Sequence, residues 1–467
     1  MKKLTIFYWL LLLTSLCSLA QNKQILYNFT SVPQSMMTNP GADVSYKFYF
    51  GLPFLSGIST HVGSTGFSAY DLFADNGVDF NTKLRDVVYS TTSNDKLVVN
   101  EQLEIFNGGF RVGDWDNPTY ISFGMYQEFD ALVYVPKDPV ILALDGNLNY
   151  IGKSFNLGDL SAKAEAVTVL HLGFHKKIKD NFIFGARGKI YMSGFNANTT
   201  KNSGYIYTVP SNSTVYEQVV YSNLKLQTSG IANYIDGNSQ NSNDDNVVKK
   251  AFLGPDLGLG LDVGFTYYPE KNIQWTGSIL DVGFISHSKD AKTYNYNGYY
   301  EYKGVNPDFI NFNNSTNSFN EFQEAISLDT TRTKYNTWRP IKMNASYQYS
   351  FNDGRGGSDC NCYGSDNHDY KNALGAQLFM MTTPKTPMLA LTGFYQRNIF
   401  DNLHLKATYT LDSFSYTNIG LGLAGNIGAF NIYLMGDNLL AYRDLSKAKS
   451  ISFQFGINFV FKGYDDE

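Results

Sequence analysis

Residues 451–461 read ISFQFGINFVF. Apolar side chains occupy every odd position from Ile451 to Phe461, while positions 452, 454, 456 and 458 carry Ser, Gln, Gly and Asn. An α-helix would spread the odd positions around its whole circumference, whereas a β-strand puts them on one face. The stretch is therefore predicted to be a strand. Because half-buried strands of soluble sandwiches also alternate, its meaning depends on how often the pattern recurs.

The same alternation recurs along the chain, for example in 257–265, 343–351, 403–411, 419–424 and 430–435. In each of these runs one face is apolar. The opposite face is rich in Gly, Asn, Ser and Tyr with scattered charges, which suits a crowded polar lumen better than bulk water. We predict an all-β protein, a transmembrane antiparallel up-and-down β-barrel of about 14 strands within a range of about 12–16. The predicted strands are 55–67, 101–112, 118–132, 162–176, 181–195, 257–268, 273–286, 340–351, 371–382, 388–398, 402–411, 416–425, 429–437 and 450–461.

The connections between these strands alternate between short and long. Tight turns are predicted at Lys179–Asn181, Pro269–Asn272, Phe400–Asn402 and Asn426–Ala429, and long loops at 68–100, 136–161, 196–256, 287–339 and 438–449. An outer-membrane barrel has short periplasmic turns and longer extracellular loops, and every tight turn falls on the same side as the end of the last strand. Within the loops we predict helices at 79–90, 137–145 and 318–328 and a hairpin at 203–228. The run 44–51 is predicted to be either a short extra strand or part of the first one.

The first twenty residues have the pattern of a secretory signal peptide. Lys2 and Lys3 precede an apolar run from Leu4 to Leu13, and the small-residue site before Gln21 suits cleavage. Without the two lysines, the formal charge of −5 becomes more negative by two, and there are no clustered basic residues to indicate nucleic-acid binding. After this signal no run of 18 apolar residues predicts a transmembrane helix.

Catalytic, metal and cofactor sites are not predicted. No GxSxG or HExxH motif accompanies any of the six histidines. His171 and His175 share a strand face, but four residues of extended chain separate them by about 13 Å, too far to hold one metal together. Cys360 and Cys362 lie in a Gly- and Asp-rich turn. The sequence is compatible with four roles for this turn: a metal site, a local disulfide, a mobile loop with two thiols or a partner contact.

The closing strand resembles the assembly signal on the last strand of outer-membrane barrels. Gln454, Gly456, Phe459 and Phe461 provide the polar residue, the glycine and the two alternating aromatic residues of that signal. An unpaired terminal strand with an apolar edge is a surface that a barrel-assembly machinery can pair with before closure. The resemblance implies outer-membrane lipid and that machinery as partners.

Asn39-Pro40-Gly41, just before the first strand, resembles the N-terminal segment of the FadL-type fatty-acid channel family and of the Bacteroidota proteins PorV and PorP/SprF of type IX secretion. The region 418–442 resembles Bacteroidota barrels of the same wider group, and so does the stretch 455–458 in the last predicted strand. The resemblance implies a barrel with its N-terminal segment folded inside. Gly41 replaces the usual Ala, and no fatty-acid-contacting residue matches.

The expected organisation is a signal peptide at 1–20, a periplasmic or plug segment at 21–43, an outer-membrane barrel at 44–461 and a periplasmic tail at 462–467. Inward charges are expected either to line a selective lumen or to pair and fill it: Lys47, Arg187, Lys189, Asp262, Lys342, Lys406 and Asp437.

Two non-enzymatic functions are implied. One is FadL-like uptake or binding of a hydrophobic small molecule. The alternative is a type IX secretion-associated scaffold or anchor for a secreted or surface protein. The long loops 196–256 and 287–339 suit either function, because each is long enough to form a lid or a docking surface.

Overall fold

The structure is a computed structural model that describes residues 23–113, 119–199, 202–210, 216–232, 252–302, 324–353, 370–400 and 402–461. The predicted signal peptide 1–20, Cys360, Cys362 and the predicted tail 462–467 lie outside the described residues. Among the residues that it describes, no helix is both long and apolar enough to cross a membrane.

The described chain is mostly strand. The strands are β1 (Phe48–Gly51), β2 (Ile58–Ser64), β3 (Lys96–Val112), β4 (Thr119–Tyr134), β5 (Ser154–Asn156), β6 (Ala162–Lys179), β7 (Phe182–Thr199), β8 (Ser203–Pro210), β9 (Tyr216–Ser229), β10 (Asp256–Glu270), β11 (Ile273–His287), β12 (Lys292–Tyr302), β13 (Ile326–Thr331), β14 (Tyr335–Trp338), β15 (Lys342–Asp353), β16 (Tyr370–Met381), β17 (Met388–Phe400), β18 (Leu403–Leu411), β19 (Asn418–Ile427), β20 (Phe430–Asp437) and β21 (Ser450–Phe461). The α-helices are α1 (Ser35–Thr38), α2 (Ala69–Phe73), α3 (Phe80–Ser90) and α4 (Lys137–Asp145).

The wall is a closed antiparallel barrel of 14 strands, as the alternation predicts. Its first strand consists of β1 and β2 in succession, because both pair with β3 and β21, and its eighth consists of β14 and β15, because both pair with β11. The other wall strands are β3, β4, β6, β7, β10, β11 and β16–β21. Closure is made by β21, which pairs Phe461 with Phe48 and Phe455 with Ile58.

The two faces of the wall have opposite polarity. On β10, the outward Leu257, Leu259 and Leu261 are 58%, 61% and 50% exposed, whereas the inward Asp262 and Thr266 are fully buried. An apolar outside and a polar inside are the reverse of a soluble barrel.

Aromatic rings cluster on the outer face at the end of the barrel that carries the short turns. Trp275 packs edge-on against Tyr347 with ring centroids 5.3 Å apart, and Phe430 lies 4.7 Å from Phe459. This short-turn end includes the turns at 180–181, 271–272 and 428–429. The opposite end, here the long-loop end, carries the long connections.

The long loops contain more strand than the sequence analysis predicts. Strands β5, β8, β9, β12 and β13 form a side sheet that joins the wall where β9 pairs with β7. The predicted hairpin at 203–228 is confirmed as β8 and β9, and the predicted helices at 79–90 and 137–145 are confirmed as α3 and α4. The predicted helix at 318–328 is wrong from residue 326 onwards, because Ile326–Thr331 pairs with β12.

Two other expectations concern the first strand. Of the run 44–51, residues 48–51 belong to that strand as β1, because β1 shares β3 and β21 as neighbours with β2, whereas residues 44–47 precede it. Lys47 was expected to face the lumen and is instead exposed at the short-turn end, since the first wall strand begins only at Phe48.

Candidate functional site

The lumen is the candidate functional site, and the N-terminal segment occupies it. Residues 23–46 are largely buried inside the barrel and bond to wall strands on several sides. Asn28 donates to Thr276 at 2.9 Å, and Gln34 donates to Asn458 at 2.9 Å. Because the two wall residues lie on β11 and β21, the segment bridges the lumen rather than following one wall. We refer to residues 23–46 as the plug.

Asn39, Pro40 and Gly41 lie where the plug approaches the wall most closely. The Asn39 side chain accepts a hydrogen bond from the Gly41 amide at 3.0 Å, which shapes a tight turn. A Cβ added at Gly41 would lie 2.5 Å from the Gly264 carbonyl oxygen, and one added at Gly185 would lie 2.1 Å from the Pro40 carbonyl oxygen. Gly41 therefore permits a backbone contact that an alanine would obstruct in this packing.

A buried network of ion pairs lines the wall beside the plug. Asp262 accepts from Arg187 Nε at 2.8 Å and lies 2.9 Å from Lys189 Nζ. Lys189 also contacts Asp281 at 2.6 Å. Arg187 in turn donates to the backbone carbonyl of Met37 at 2.9 Å, so the network holds the plug. The predicted lumen residues Arg187, Lys189 and Asp262 are thus brought together.

The network continues across the wall toward the long-loop end. Lys342 lies 3.1 Å from Asp281 and 3.0 Å from Glu128, and Arg339 lies 2.7 Å from Glu128 and contacts Glu165. Every one of these charges is paired, which is the condition under which buried charge is tolerated. Glu128, Asp281, Arg339 and Glu165 were not among the predicted lumen residues, because the cross-strand register that unites them is not visible in a single sequence.

Asp281 enters the network through a β-bulge. The β10–β11 register shifts between Leu261 and Val263, so that Leu280 and Asp281 are both buried although they are adjacent in sequence. Asp281 adopts a left-handed backbone conformation with φ of 61° and donates its amide to Asp262 at 2.7 Å. A bulge redirects one side chain against the strand alternation, and here it brings a carboxylate into the lumen.

Lys406 and Asp437 lie on the opposite part of the wall and do not join this network. The Lys406 ammonium donates to the backbone carbonyl of Tyr27 and lies 4.5 Å from the centroid of the Phe394 ring. Asp437 accepts from Ser452 at 2.6 Å. Lys406 therefore contacts the N-terminal half of the plug.

The predicted assembly-signal residues divide between the two faces of β21. Gln454 and Gly456 face the buried interior, whereas Phe459 and Phe461 face outward. Phe461 lies 5.6 Å from Phe48 between ring centroids, on the strand pair that closes the barrel.

An apolar group of side chains interrupts the polar lumen on the long-loop side of the plug. It consists of Val98, Phe379, Met388, Ala390 and Phe414, and all five are buried. Val98 lies on the second wall strand and Phe379 on the ninth, which are on opposite sides of a barrel of 14. We refer to these five residues as the apolar lumen cluster. Apolar side chains at inward positions of an otherwise polar lumen are the surface that a hydrophobic ligand would contact.

His171 and His175 each pack against a different tyrosine ring of the wall. His175 stacks on Tyr120 with centroids 5.1 Å apart, and His171 lies 5.9 Å from Tyr126. Within the described part of the chain, no group of three His, Cys, Asp or Glu side chains is arranged to hold a metal ion.

A small cap covers the long-loop end. Its apolar core contains Val88 of α3, Ile141 of α4 and Phe155. At its surface Tyr89 and Tyr150 donate hydrogen bonds to Asp145, and the hydrogen bond from Tyr89 is the main reason why the pKa of Asp145 lies below its usual value. The cap therefore carries its own packing and hydrogen-bonding interactions.

Comparison with known proteins gives one family and several distant barrels. The model of a family described as "Family of unknown function (DUF5723)" matches residues 40–437. No functionally curated protein matches the chain. The toluene transporter TbuX of Ralstonia pickettii has 9% identity and a TM-score of 0.41 over 92% of this chain and 94% of that chain. A FadL homologue of Pseudomonas aeruginosa has 11% identity and a TM-score of 0.41 over 93% and 95%. The toluene transporter TodX of Pseudomonas putida has 9% identity and a TM-score of 0.36 over 95% and 98%.

Proposed function

The chain belongs to the DUF5723 family, and we propose that it is a non-enzymatic protein of the bacterial outer membrane that binds and takes up a hydrophobic small molecule. Different observations support the membrane location and the hydrophobic ligand.

The membrane location is supported by the inverted polarity of the wall. Exposed leucines such as Leu172, Leu257, Leu259 and Leu374 are between 57% and 63% exposed on the outer face. Burying apolar surface contributes about 25 cal/mol per Å², so a wall of such residues is far more stable against hydrocarbon than against water. The outward aromatic rings at the short-turn end fit a membrane interface.

The orientation and the route to the membrane belong to the same proposal. With the short turns in the periplasm, the first wall strand begins and the last wall strand ends on the periplasmic side. A signal peptide at 1–20 would direct export, and Phe459 and Phe461 would present the last strand to a barrel-assembly machinery.

The hydrophobic ligand is supported by the apolar lumen cluster, which is the single observation on which this part depends. The cluster lies between the plug and the long-loop end, where a molecule entering from outside would first meet apolar side chains. Beneath it, the plug presents Ile25, Leu26, Phe29 and Val32, which pack against Tyr433 and other wall residues. An entering apolar molecule would therefore find two successive apolar layers.

Binding of a neutral naphthylamine fluorophore to the purified barrel in neutral detergent tests this function. We expect saturable binding of one probe per chain, weakened at least about tenfold by Met388→Gln, because a polar group would enter the apolar contact. The matched control is Leu148→Gln, since Leu148 is 62% exposed in a loop outside the barrel. Non-saturable partitioning, equal in wild type and both variants, would refute a ligand site in the lumen.

The second candidate is a scaffold or anchor for a secreted or surface protein, as in type IX secretion. The observation that favours it is the side sheet of β5, β8, β9, β12 and β13, which exposes Tyr205, Tyr296 and Tyr299 outside the barrel. Recovery of a stoichiometric protein partner after mild extraction, without saturable binding of the apolar probe, would favour this candidate over uptake.

A further inference from the structure

A groove on the outer face of the barrel wall is separate from the lumen. It has a volume of about 720 Å³ and extends across β10, β11, β15 and β16. Its floor consists of small outward residues on three successive wall strands, Gly277, Ala345 and Ala376. Large outward side chains surround this floor: Phe265, Trp275, Ile279, Tyr347 and Leu378. The wall is therefore concave here, although a barrel is convex on its outside.

The groove lies in the half of the wall nearer the short-turn end. Gly277 is the fifth residue of β11, which begins at that end with Ile273. Trp275 and Tyr347 form the side of the groove that faces the short-turn end, and their ring centroids are 5.3 Å apart. Outward aromatic rings of this kind are typical of a membrane interface. With the short turns in the periplasm, the groove faces the hydrocarbon of the periplasmic leaflet.

Arg397 is an outward cation on the short-turn side of the groove. Its neighbour Gln396 donates to the backbone carbonyl of Asn28 in the plug at 3.2 Å, so Arg397 points away from the lumen, where it is exposed. Arg397 pairs across the strands with Asn372, whose side chain accepts a hydrogen bond from Tyr395 at 2.6 Å. Among the residues that the structure describes, no carboxylate oxygen lies within 4.0 Å of the Arg397 guanidinium. A cation in this position is suited to an anion supplied by the membrane.

The distance between Arg397 and the groove fits one lipid molecule. Asn372, the partner of Arg397, is four residues from Ala376 on β16, which is about 13 Å of extended chain. A strand tilt of about 35–45° reduces this length to a difference in depth of roughly 9–11 Å. One leaflet contributes about half of a hydrocarbon core of about 30 Å. An acyl chain whose headgroup lies at Arg397 therefore reaches the floor of the groove within the same leaflet.

We propose that this groove and Arg397 hold one glycerophospholipid of the periplasmic leaflet, with its phosphate on Arg397 and an acyl chain over Gly277, Ala345 and Ala376. This inference rests on the membrane location in the proposed function and adds a defined lipid site on the outside of the barrel. The guanidinium donates charge-assisted hydrogen bonds to the phosphate. The small floor residues admit the chain, because they allow a close approach to the backbone.

A phospholipid fits this site better than a second copy of the chain or a transmembrane helix. A flexible acyl chain can fill a concave groove, whereas the outer wall of a second barrel is convex. A protein partner would also have to bring a carboxylate to the membrane interface to pair with Arg397, and a phospholipid carries its anion at that depth already.

Two lipids that differ in the headgroup separate the phosphate contact from the chain contact. Dioleoylphosphatidylglycerol carries a phosphate, and dioleoylglycerol has the same chains without it. In native mass spectrometry of the full-length mature barrel from neutral detergent, we expect one phosphatidylglycerol per chain, bound about tenfold or more tightly than dioleoylglycerol, because charge-assisted hydrogen bonds are the stronger class. Arg397→Leu should abolish this preference. Lys47→Leu, at an exposed lysine of the short-turn end on the first wall strand's side, should keep it.

A second variant fills the floor of the groove. Ala345→Phe should weaken the binding of both lipids at least about tenfold, because its ring would occupy the space of the chain. The matched control is Ala131→Phe, at an outward alanine of β4 on another part of the wall, which should bind both lipids as the wild type does. If Ala345→Phe does not fold, as judged by heat-modifiable migration in gels, Ala376→Leu tests the same floor, and the two lipids on the wild type remain a test by themselves.

Equal affinities of the two lipids for the wild type, or a preference that survives loss of the Arg397 charge, would overturn the phospholipid site. Tighter binding of lipid A than of phosphatidylglycerol, or a dimer that is lost in Ala345→Phe, would overturn it in favour of another occupant. Each of these results leaves hydrophobic uptake intact if the naphthylamine fluorophore still binds in the lumen. A chain that stays folded and monodisperse without detergent would overturn the membrane location and this inference together.

Discussion

The closest contact between the plug and the wall gives a direct test of what keeps the lumen filled. A Cβ at Gly185 would lie 2.1 Å from the Pro40 carbonyl oxygen and 2.7 Å from the Gly41 amide nitrogen. Both clashing atoms are backbone, so no side chain can rotate away. Overpacking of this kind costs about 1–3 kcal/mol. Gly185→Ala should therefore raise the ratio of displaced to seated plug roughly 5- to 150-fold, since about 1.4 kcal/mol is tenfold.

Single-channel recording in planar bilayers measures this ratio as the fraction of time spent in a conducting state. A variant that lacks residues 23–46, the whole plug, gives the fully unplugged level for reference. The matched control is Gly393→Ala, because a Cβ at Gly393 meets nothing within 4 Å. If Gly185→Ala is folded and conducts no more often than Gly393→Ala, while the deletion variant conducts, then the backbone contact does not hold the plug.

Three further predictions concern the wall and the cap. Leu259→Arg should destabilise the barrel in lipid by about 2–4 kcal/mol, measured by reversible unfolding in bilayers, because its outward side chain would meet hydrocarbon; no loss relative to Leu253→Arg, in a loop, would contradict a membrane-facing wall. Arg339→Leu should destabilise the barrel by about 3–5 kcal/mol, measured by urea-dependent gel mobility, because it leaves buried carboxylates unpaired; an unchanged midpoint would contradict this. The pKa of Asp145 lies below its ordinary 3.8, mainly because Tyr89 donates a hydrogen bond to it, so this stabilisation of the cap is present above that value and is lost as the pH falls through the lowered pKa. Hydrogen exchange of α4 should rise at acid pH in the wild type and be high at all pH values in an Asp145→Asn variant; identical profiles would remove Asp145 from this role.

The wall was largely predictable because it depends on a local signal. Alternation with period two needs only neighbouring residues, and it locates wall strands such as β10, β11 and β21 to within a few residues. The side sheet was harder to predict because its strands are held by partners distant in sequence. Ile326–Thr331 pairs with β12, and its six residues do not by themselves reveal that partner.

The lumen chemistry was predictable only in part. Arg187, Lys189 and Asp262 could be assigned to the inward face because they follow the strand period. Asp281 could not, since the bulge that turns it inward breaks the alternation by which faces are assigned. Arg339 lies between β14 and β15 and outside any run of alternation, so its ion pairs depend on tertiary structure alone.

The contacts of the plug are unequal along its length, and this determines how it would move. Its C-terminal half is held by the glycine contact at Gly41, by two backbone hydrogen bonds from Arg187 and by the covalent connection to β1. Its N-terminal half is held by polar contacts, such as those of Asn28 with Thr276 and Ser346 and of Tyr27 with Thr276 and Lys406, and by apolar packing. Because only the C-terminal half is joined directly to a wall strand, residues 23–29 should detach before residues 36–44. This weaker half is also the half whose apolar residues lie beneath the apolar lumen cluster. A ligand that competes for the same apolar surface would therefore act on the part of the plug that is easiest to displace.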